Sequence, residues 1–566
     1  MELGLIQKKR EKSLLNNFNL ETLPYKDTTI KDILLNIGKQ NIQILKEDTL
    51  GNFFEAFIGK EEKKDLGQFY TPKEIVEYII NFLNIQPDSK ILDPTCGCGI
   101  FLVTVFNFLK HLNQKCLNNI YGVDLNETAV KITQINLWLK NGKTIESLKI
   151  IEKNIQVGNS IVEDKNIDSC AFVWKDQFPE IMKEGGFDFI IGNPPYLTLR
   201  IGKDYNPKES LFSKITNGNT NAASLIIAKS FQLLKNNGVI SFVLPKTLVR
   251  VNSYSKLREF ILENSKILHI YDLGNCFKGV RGEQIIIFMQ KTNNKEEINQ
   301  NKVLISIYED KTKSLLKQKK FLVPQELFLK YNNFLMFEKQ EYYDLIKKIN
   351  EQGKRLDNLA DIFRGITISP KSTLISKSKV KNSKPIIKGK DISKFKYKIN
   401  YFLKNIDKIS EINLKISQFY NNKIILQNIF SSEAGIIAAI DKSGNLTFDT
   451  VTNIIIRDKS LDEKYLLGLL NSKLINFFLI YAIYNKSKLT MHTDKVYLGK
   501  LPVKKVSKEK QKEIINIVNK LMRIKEKRIL LQNLDTIIYK IYNINKKERN
   551  LIEESLVNIM SKKSIW

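Results

Sequence analysis

The sequence predicts a doubly wound α/β domain followed by a region of mixed α+β character. Between residues 66 and 291, short apolar runs alternate with segments of helical periodicity, which is typical of a sheet with helices on both faces. Four of the apolar runs end near a polar residue, at Asp93, Asp124, Asn159 and Asn193. Because the carboxyl ends of parallel strands meet at one edge of the sheet, we expect these side chains to line a common ligand site.

The charge of the chain is unusual, although its size and apolar content are ordinary. Of its 566 residues 43% are hydrophobic, and 90 Lys and Arg residues against 60 Asp and Glu residues give a net charge of +30. This surplus favours a polyanionic partner, either nucleic acid or an anionic membrane surface. Five irregularly spaced cysteines and three histidines indicate neither a disulfide framework nor a zinc site, so we expect a reducing compartment and no bound metal.

The apolar stretches of the chain favour a cytoplasmic protein with no membrane partner. The stretch Leu466–Tyr484 is interrupted by Asn471 and Lys473, and a buried helix is therefore expected in place of a membrane span. Residues 1–12 carry charges but lack the apolar core of a signal peptide.

The stretch from Asp188 to Tyr196 carries the clearest chemistry. An apolar run stops at Gly192 and is followed by Asn193, Pro194, Pro195 and Tyr196. The prolines fix φ and remove two backbone donors, which leaves carbonyl oxygens, an Asn amide and an aromatic face at the end of a strand. This combination suits a flat molecule with an exocyclic amino group, such as a nucleobase or a carboxamide. A proline-rich turn with a buried Tyr is the alternative.

A second loop has the character of a nucleotide site. The run that follows the apolar residues 90–92 contains Asp93, Pro94, Gly97 and Gly99, and an apolar helix is expected over 100–109. Glycines allow a ligand to approach the backbone closely, and the first turn of a helix offers unpaired N–H groups. The run matches neither the triphosphate motif nor the dinucleotide motif, which argues against a pyrophosphate ligand.

Residues at the next two strand ends extend this expected site. An acid such as Asp124 at the end of the second strand commonly binds ribose hydroxyls, and Leu125 is placed to pack against an adenine ring. Asn159, followed by Ser160, is placed to hydrogen-bond an adenine amino group, or else the two form only a polar turn.

The segment before the first strand contains aromatic residues and a hydroxyl. Tyr70 and Thr71 precede Pro72 and a helical pattern, so Thr71 is expected to cap the helix and Pro72 to occupy its first position. The segment is either a loop that closes over a ligand or a simple helix start.

The chain changes character after a polar, linker-like run at 291–302. Residues 364–404 contain twelve Lys or Arg residues and one acid, with aromatic residues between them. We expect a phosphate-contacting surface there. Its candidate DNA-binding residues are Arg364, Lys388, Lys390, Lys394 and Lys396.

Taken together, these motifs resemble the TaqI-like adenine-N6 DNA methyltransferases in their gamma order. The resemblance is carried by residues 66–72, 92–101, 124 and 193–196, and by 363–366, 385–391 and 497–502 in the specificity region. It implies S-adenosylmethionine as cofactor and double-stranded DNA as partner, with the protein a monomer on DNA and a separate restriction endonuclease as an optional companion. The cofactor-binding residues that it implies are Tyr70, Thr71, Asp93, Pro94, Gly97, Gly99, Asp124, Leu125, Asn159 and Ser160.

The sequence patterns and the resemblance together predict a domain organisation. Residues 1–60 are a helical lead-in, 61–295 a Rossmann-like S-adenosylmethionine-dependent methyltransferase domain, 296–340 a connecting segment, and 341–566 a target-recognition domain with C-terminal helices.

The implied mechanism transfers a methyl group to N6 of an adenine flipped out of the duplex. Asn193 and Pro194 would accept hydrogen bonds from the amino group in a catalytic loop completed by Pro195 and Tyr196. Tyr196 and Phe277 would stack on the two faces of the base. Three alternatives stay open: cytosine N4 as the target, an RNA or protein glutamine substrate, and a catalytically silent DNA-recognition subunit.

Overall fold

A computed structural model describes most of the chain from Thr71 onward. The described residues are 71–112, 115–142, 144–200, 210–216, 220–274, 282–308, 318–337, 339–369, 372–405, 417–431, 434–486, 491–524 and 526–557. The chain forms two compact units, the first comprising residues up to Thr198 with Asn221–Phe242 and the second comprising Leu199–Thr220 with Val243–Trp566. The helical lead-in expected over 1–60 lies outside the described residues.

The first unit is built on parallel strands in the order β5-β4-β1-β2-β3, which confirms the predicted α/β fold. Every residue of β1 and β2 is buried, as expected for strands covered by helices on both faces. The strands are β1 (Ile91–Asp93), β2 (Ile120–Asp124), β3 (Ile155–Val157), β4 (Phe187–Gly192) and β5 (Leu234–Pro245), of which the last belongs to this unit up to Phe242.

The strand order creates a switch point at β1. The chain passes from β1 to β2 and β3 on one side and returns to β4 on the other side of β1. Loops that leave β1 and β4 therefore diverge, and open α/β sheets bind their ligands in the crevice between such loops.

Local capping explains where several helices of this unit begin. The Asn126 side chain accepts a hydrogen bond from the Ala129 amide, and the Thr144 hydroxyl accepts one from the Ser147 amide. Such caps satisfy amides that the helix itself leaves unpaired. The helices are Lys73–Phe82, Ile100–Leu109, Glu127–Lys140, Ile145–Asn154, Trp174–Gln177, Pro179–Lys183 and Ala222–Leu233, with a 3-10 turn at Cys116–Asn119.

The second unit begins with four strands in the order β9-β8-β6-β7. The strands are β6 (Ser265–Gly274), β7 (Gln284–Lys291), β8 (Lys302–Tyr308) and β9 (Gln318–Pro324). Around them lie the helices Ser210–Ile215, Ser255–Asn264, Lys295–Gln300, Gln325–Tyr331 and Gln340–Glu351, the 3-10 turns Lys246–Val249 and Asn252–Tyr254, and the short strands Thr198–Leu199 and Thr220–Asn221 at the boundary of the units.

The expected connecting segment 296–340 contains part of this sheet. Strand β8 pairs parallel with β6, and β9 pairs antiparallel with β8. Val303 and Ile305 of β8 are fully buried, whereas Leu304 between them is half-buried, so one face of this strand packs into the core. Charged residues on both sides hide this short pattern in the sequence.

The rest of the second unit is a mixed α+β region, as predicted. One four-stranded sheet contains Ala360–Arg364, Val451–Ile456, Lys423–Gln427 and Ala438–Asp441, and another contains Ile375–Ser376, Phe402–Lys404, Ser383–Ile387 and Leu446–Thr447. Two-stranded pairings join Lys354–Arg355 to Pro502–Val503, Ile392–Ser393 to Lys396–Tyr397, and Ile429–Phe430 to Met491–His492.

The helices of this region are distributed from residue 356 to the end of the described chain. They are Leu356–Leu359, Glu463–Leu470, Lys473–Phe478, Lys495–Leu498, Lys508–Arg523, Arg528–Ile541 and Lys546–Val557, with a 3-10 turn at Gly389–Asp391 and a π-helical turn at Leu479–Ile483. The single helix expected over 466–484 is bent by 57° between Glu463–Leu470 and Lys473–Ile483. In the described ranges no unbroken helix has the length and apolarity of a membrane span. The two helices of the bent pair have that length and apolarity only when they are taken together.

Two glycines with left-handed backbone test the packing of the first unit. A Cβ at Gly186 (φ +113°) would lie 2.0 Å from the Leu233 carbonyl oxygen, whereas one at Gly142 (φ +79°) would meet nothing within 4 Å. We expect Gly142→Ala to lower the free energy of unfolding by about 1 kcal/mol through backbone strain. Gly186→Ala should lower it by about 3 kcal/mol, because the backbone at Leu233 must also move. Chemical denaturation of both variants measures the difference, and equal losses would contradict it.

Candidate functional site

The ends of β1 and β4 come together at the switch point. A Cβ at Gly192, the last residue of β4, would lie 2.7 Å from Oδ1 of Asp93, the last residue of β1. Only a glycine allows the two strand ends to approach this closely. The residues that follow, Pro94 on one side and Asn193 on the other, therefore begin two loops at one point of the sheet edge.

The loop after β1 is tied to the end of β2. The Gly97 amide donates to Asp124 Oδ2 over 2.8 Å, and the Asn126 amide donates to Asp124 Oδ1 over 2.9 Å. Gly99 has φ +86°, and a Cβ there would lie 2.6 Å from the Thr133 side chain. A Cβ at Gly97 would meet nothing within 4 Å, so the loop is packed on one side and open on the other.

Both carboxyl groups at these strand ends are buried, and their pKa values are shifted accordingly. Burial raises the pKa of Asp93 well above its usual range, and the neighbouring Asp124 raises it further, against a hydrogen bond from the Thr95 amide. Burial also raises the pKa of Asp124, partly offset by the amides that donate to it. Two partly desolvated acids beside an open glycine loop are characteristic of a functional site.

The loop after β4 fixes the orientation of the Asn193 amide. Its Nδ2 donates to the Thr71 hydroxyl over 3.0 Å, and its Oδ1 accepts a hydrogen bond from the Tyr196 hydroxyl over 2.6 Å. The expected cap by Thr71 is wrong, because the helix begins at Lys73, Pro72 is its N-cap residue, and no side chain caps it. The Thr71 hydroxyl is instead bonded to Asn193, and it thus positions the amide that the sequence pattern singles out.

Two of the predicted ligand residues are committed to contacts within the protein. Asn159 Nδ2 donates to Asp168 Oδ2 over 2.6 Å and its Oδ1 accepts from the Ile161 amide, while the buried Ser160 hydroxyl donates to the Pro94 carbonyl. These hydrogen bonds therefore stabilise the loop that contains Asn159 and Ser160 and connect it to the loop after β1. Leu125, by contrast, is 57% exposed beside the buried Asp124.

The remaining predicted site residues fall into two groups. Pro94 and Pro195 lie in the two loops just described, one after β1 and the other between Asn193 and Tyr196. Tyr70 and Phe277 lie outside the described residues.

The predicted basic surface lies in the second unit and is not uniform. Lys390 is exposed, with its ammonium group 5.7 Å from the centre of the Tyr401 ring. Lys388 and Lys396 are half-buried, and Arg364 is exposed. These four residues remain candidates for contacts with an anionic partner.

Lys394 has a different environment from the other four basic residues. It is half-buried, and burial lowers the pKa of its ammonium group to about 7, with Lys527 adding to the shift and Asp535 opposing it. The backbone carbonyl of Lys394 accepts a hydrogen bond from Lys527. Lys394 therefore belongs to the packing around Asp535, which lies 141 positions away in the chain and is invisible to a local reading of charge.

The second unit also contains an ion-paired group that the sequence patterns did not reveal. Lys246 Nζ lies 2.6 Å from Asp272 Oδ2 and 3.2 Å from Glu283 Oε2. These two acids raise the pKa of Lys246, against the effect of its burial. The sequence feature that could have revealed this group is Asp272, an acid near the end of an apolar strand like Asp93 and Asp124.

The buried charge of Asp93 has a consequence for stability. Because the folded pKa is raised, ionisation opposes folding once the pH exceeds about 4, the pKa of Asp in an unfolded chain. The amide oxygen introduced by Asp93→Asn could still accept the hydrogen bond from the Thr95 amide. We therefore expect this variant and the wild type to have similar stability below about pH 4, and the variant to become the more stable as pH rises.

Thermal unfolding midpoints between pH 4 and pH 8 measure this effect. The exposed Asp88 provides the control, because Asp88→Asn removes the same charge without relieving burial. A difference between Asp93→Asn and wild type that shrinks with rising pH would contradict the burial argument.

Comparison with known proteins identifies the two parts of the chain. Residues 118–277 match the family model of the Eco57I restriction-modification methylase, and residues 384–503 match the TaqI-like C-terminal specificity domain. The solved structure of the type IIL restriction-modification enzyme MmeI in complex with DNA has a TM-score of 0.58 at 13% identity, covering 94% of this chain and 84% of that chain. At this identity the similarity shows the fold.

Two curated relatives come from an archaeon and a bacterium. The chain is 29% identical to the putative type II restriction enzyme and methyltransferase RM.MjaORFECS2P of Methanocaldococcus jannaschii, over 93% of this chain and 62% of the relative. It is 24% identical to the type II restriction enzyme and methyltransferase RM.Eco57I of Escherichia coli, over 60% and 40%. The chain thus spans less than two thirds of either relative. It joins an Eco57I-type restriction-modification methylase domain to a TaqI-like C-terminal specificity domain.

Proposed function

We propose that the protein is a site-specific DNA methyltransferase that modifies N6 of adenine in double-stranded DNA with the methyl group of S-adenosylmethionine. The observation that carries this proposal is the Asn193 amide at the switch point, held by Thr71 and directed toward Tyr196. An oriented amide oxygen and a neighbouring aromatic ring suit a flat base that bears an amino group.

The loops around Asp93 and Asp124 fit S-adenosylmethionine. The space above Gly97 is open, and the buried Thr95 hydroxyl has no hydrogen-bond partner among the described residues. Asp124 would hold the ribose hydroxyls and Leu125 would contact the adenine ring. When bound, the cofactor supplies a methyl group activated by a sulfonium charge.

Asn193 and Pro194 would bind the amino group of the target base. Its nitrogen lone pair is delocalised into the ring and is a weak nucleophile. Hydrogen bonds from the two N6 protons to Asn193 Oδ1 and the Pro194 carbonyl would shift the nitrogen toward tetrahedral geometry and stabilise the positive charge that develops on it. This is electrostatic stabilisation by preorganised acceptors, and no general base is required before transfer.

Tyr196 has two roles in this proposal. Its hydroxyl donates to Asn193 Oδ1 in the structure, which keeps that acceptor satisfied, and its ring would stack on the flipped base. A base inside a duplex cannot reach the site, so flipping is required. Binding of the base would replace the Tyr196 hydroxyl with the N6 amino group at Asn193 Oδ1.

The first test is Asn193→Ala. We expect methyl transfer to unmodified DNA to fall by about 10²- to 10³-fold, because one preorganised acceptor is removed, while binding of S-adenosylmethionine is retained. Transfer of labelled methyl groups, followed by mass spectrometry of the nucleosides, measures both the rate and the modified base.

Tyr196→Phe is the matched variant. It keeps the ring and removes only the hydroxyl, so it should retain far more activity than Tyr196→Ala. Full activity of Asn193→Ala would refute the mechanism, and label in cytosine would keep the mechanism but change the base. Cofactor binding without label in DNA would favour a silent recognition subunit or a different acceptor.

A second test concerns the basic surface. The double variant Lys388→Gln and Lys390→Gln should weaken DNA binding and reduce the salt dependence of log K by about 0.9 for each phosphate that is no longer neutralised. Lys394→Met removes a basic residue of the same segment but from the environment of Asp535, and its salt slope should equal that of the wild type. Binding titrations across a range of salt concentrations measure the slopes. If Lys394→Met lowered the slope and the double variant did not, the phosphate contacts would have to lie near Asp535 and not at Lys388 and Lys390.

A further inference from the structure

A buried asparagine organises a polar surface in the second unit. Asn428 follows the strand Lys423–Gln427 and is fully buried. Its Nδ2 donates to Asp494 Oδ1 and to Thr452 Oγ1, each over 2.9 Å. Because a carboxylate accepts and does not donate, the contact with Asp494 fixes which end of the Asn428 amide is nitrogen.

The oxygen end of this amide faces two basic side chains. Arg364 Nη2 donates to Asn428 Oδ1 over 3.0 Å, and His492 Nδ1 lies 3.2 Å from the same oxygen. An amide oxygen can only accept, so His492 Nδ1 carries the proton of this hydrogen bond. In the neutral ring, Nε2 is then an acceptor.

The neighbouring strand pair places His492 beside an exposed apolar residue. Ile429 is directly opposite His492 in an antiparallel pairing, and Phe430 is opposite Met491. Opposite residues share one face of a pair and successive residues alternate between faces. Phe430 and Met491 are buried on the inner face, whereas Ile429 is 50% exposed on the outer one.

Arg364 is anchored at the same place. Its Nε donates to the Asp449 carbonyl over 3.1 Å and lies 3.5 Å from Asp494 Oδ1. These contacts and the Asn428 hydrogen bond fix the plane of the guanidinium group. Five N–H groups belong to a guanidinium, and the side chain remains exposed.

We propose that Arg364, Ile429 and His492, held by Asn428 and together called the Asn428 platform, read base-pair edges in the DNA recognition sequence. This rests on the proposed function. The platform presents a donor, an apolar contact and an acceptor side by side. Arginine pairs with guanine O6 and N7, and an isoleucine side chain suits the thymine methyl group. His492 Nε2 would accept a hydrogen bond from the exocyclic amine of adenine or cytosine.

The composition of the platform separates base reading from phosphate contact. A phosphate accepts hydrogen bonds, so it pairs neither with a ring nitrogen that acts as an acceptor nor with an exposed Ile. Phosphate contacts fix the position of a protein on the duplex, whereas sequence is read by hydrogen bonds and apolar contacts in the grooves. The geometry of the Asn428 platform therefore points to sequence readout.

The experiment compares recognition sequences in vivo. Wild type, His492→Ala and Ile429→Ala are expressed in a bacterial host without DNA methyltransferases, and modified positions are mapped by long-read sequencing. We expect the wild type to modify one motif. Each variant should lose roughly tenfold discrimination at one position of that motif, with the other positions unchanged.

Two exposed residues of the first unit serve as matched controls. His111→Ala and Ile145→Ala make the same chemical changes away from the platform and should leave the motif intact. His492→Gln guards against unfolding, because it keeps a polar side chain with a different pattern of donors and acceptors. We expect it to change the preferred base pair at the position that His492→Ala relaxes.

The outcomes separate this inference from the proposed function. Absence of DNA methylation by the wild type would overturn the proposed function, and the inference with it. A wild-type motif that His492→Ala and Ile429→Ala reproduce with equal strictness would overturn the inference alone. It would also be overturned if both histidine variants kept the wild-type melting temperature but lost methylation uniformly at all sequences.

Discussion

The hydrogen bond from the Gly97 amide to the Asp124 carboxylate is the contact on which the first unit depends. It joins the loop after β1 to the end of β2 and gives a buried carboxylate one of the donors that it needs. An unpaired buried charge would oppose folding strongly. The loop reaches this geometry through left-handed backbone at Gly97 (φ +50°) and Gly99 (φ +86°), a conformation that favours glycine. Stability and ligand binding are therefore coupled in one turn, since the carboxylate that pins the loop is also the proposed ribose ligand.

A comparable arrangement lies at the end of β4. Gly192 permits the close approach to Asp93, the prolines withhold backbone donors, and Thr71 fixes the amide of Asn193. Each of these residues has a local structural role, and together they position the Asn193 side-chain oxygen at the sheet edge as a hydrogen-bond acceptor. In the second unit Asn428 does the same for Arg364 and His492. In both proposed sites the nitrogen of a side-chain amide donates to a neighbouring side chain that fixes its orientation. The oxygen of the same amide accepts hydrogen bonds from side chains that belong to the site.

Much of this could be predicted from the sequence, because strands buried on both faces leave continuous apolar runs and glycine-rich turns mark their ends. The parallel strands and the mixed region after them follow from such local patterns. The partners of the key polar groups do not. Thr71 meets Asn193 across 122 positions, and a local reading assigns it to a helix cap. Charged residues on both sides of strand β8 make its apolar pattern hard to recognise in the sequence. Lys394 cannot be distinguished from the neighbouring lysines by sequence, because its environment near Asp535 depends on the fold.

The hydrogen bond between Tyr196 and Asn193 has a consequence for which bases the proposed site would accept. An amino group that displaces the Tyr196 hydroxyl exchanges one hydrogen bond for another, so the exchange itself is nearly neutral in free energy. Thymine and uracil present a carbonyl oxygen at the equivalent ring position. Either would place its carbonyl oxygen against Asn193 Oδ1, at a penalty of about 1–3 kcal/mol for each group left unsatisfied. Under the proposed function, a keto base would therefore be rejected and the hydrogen bond between Tyr196 and Asn193 would be retained.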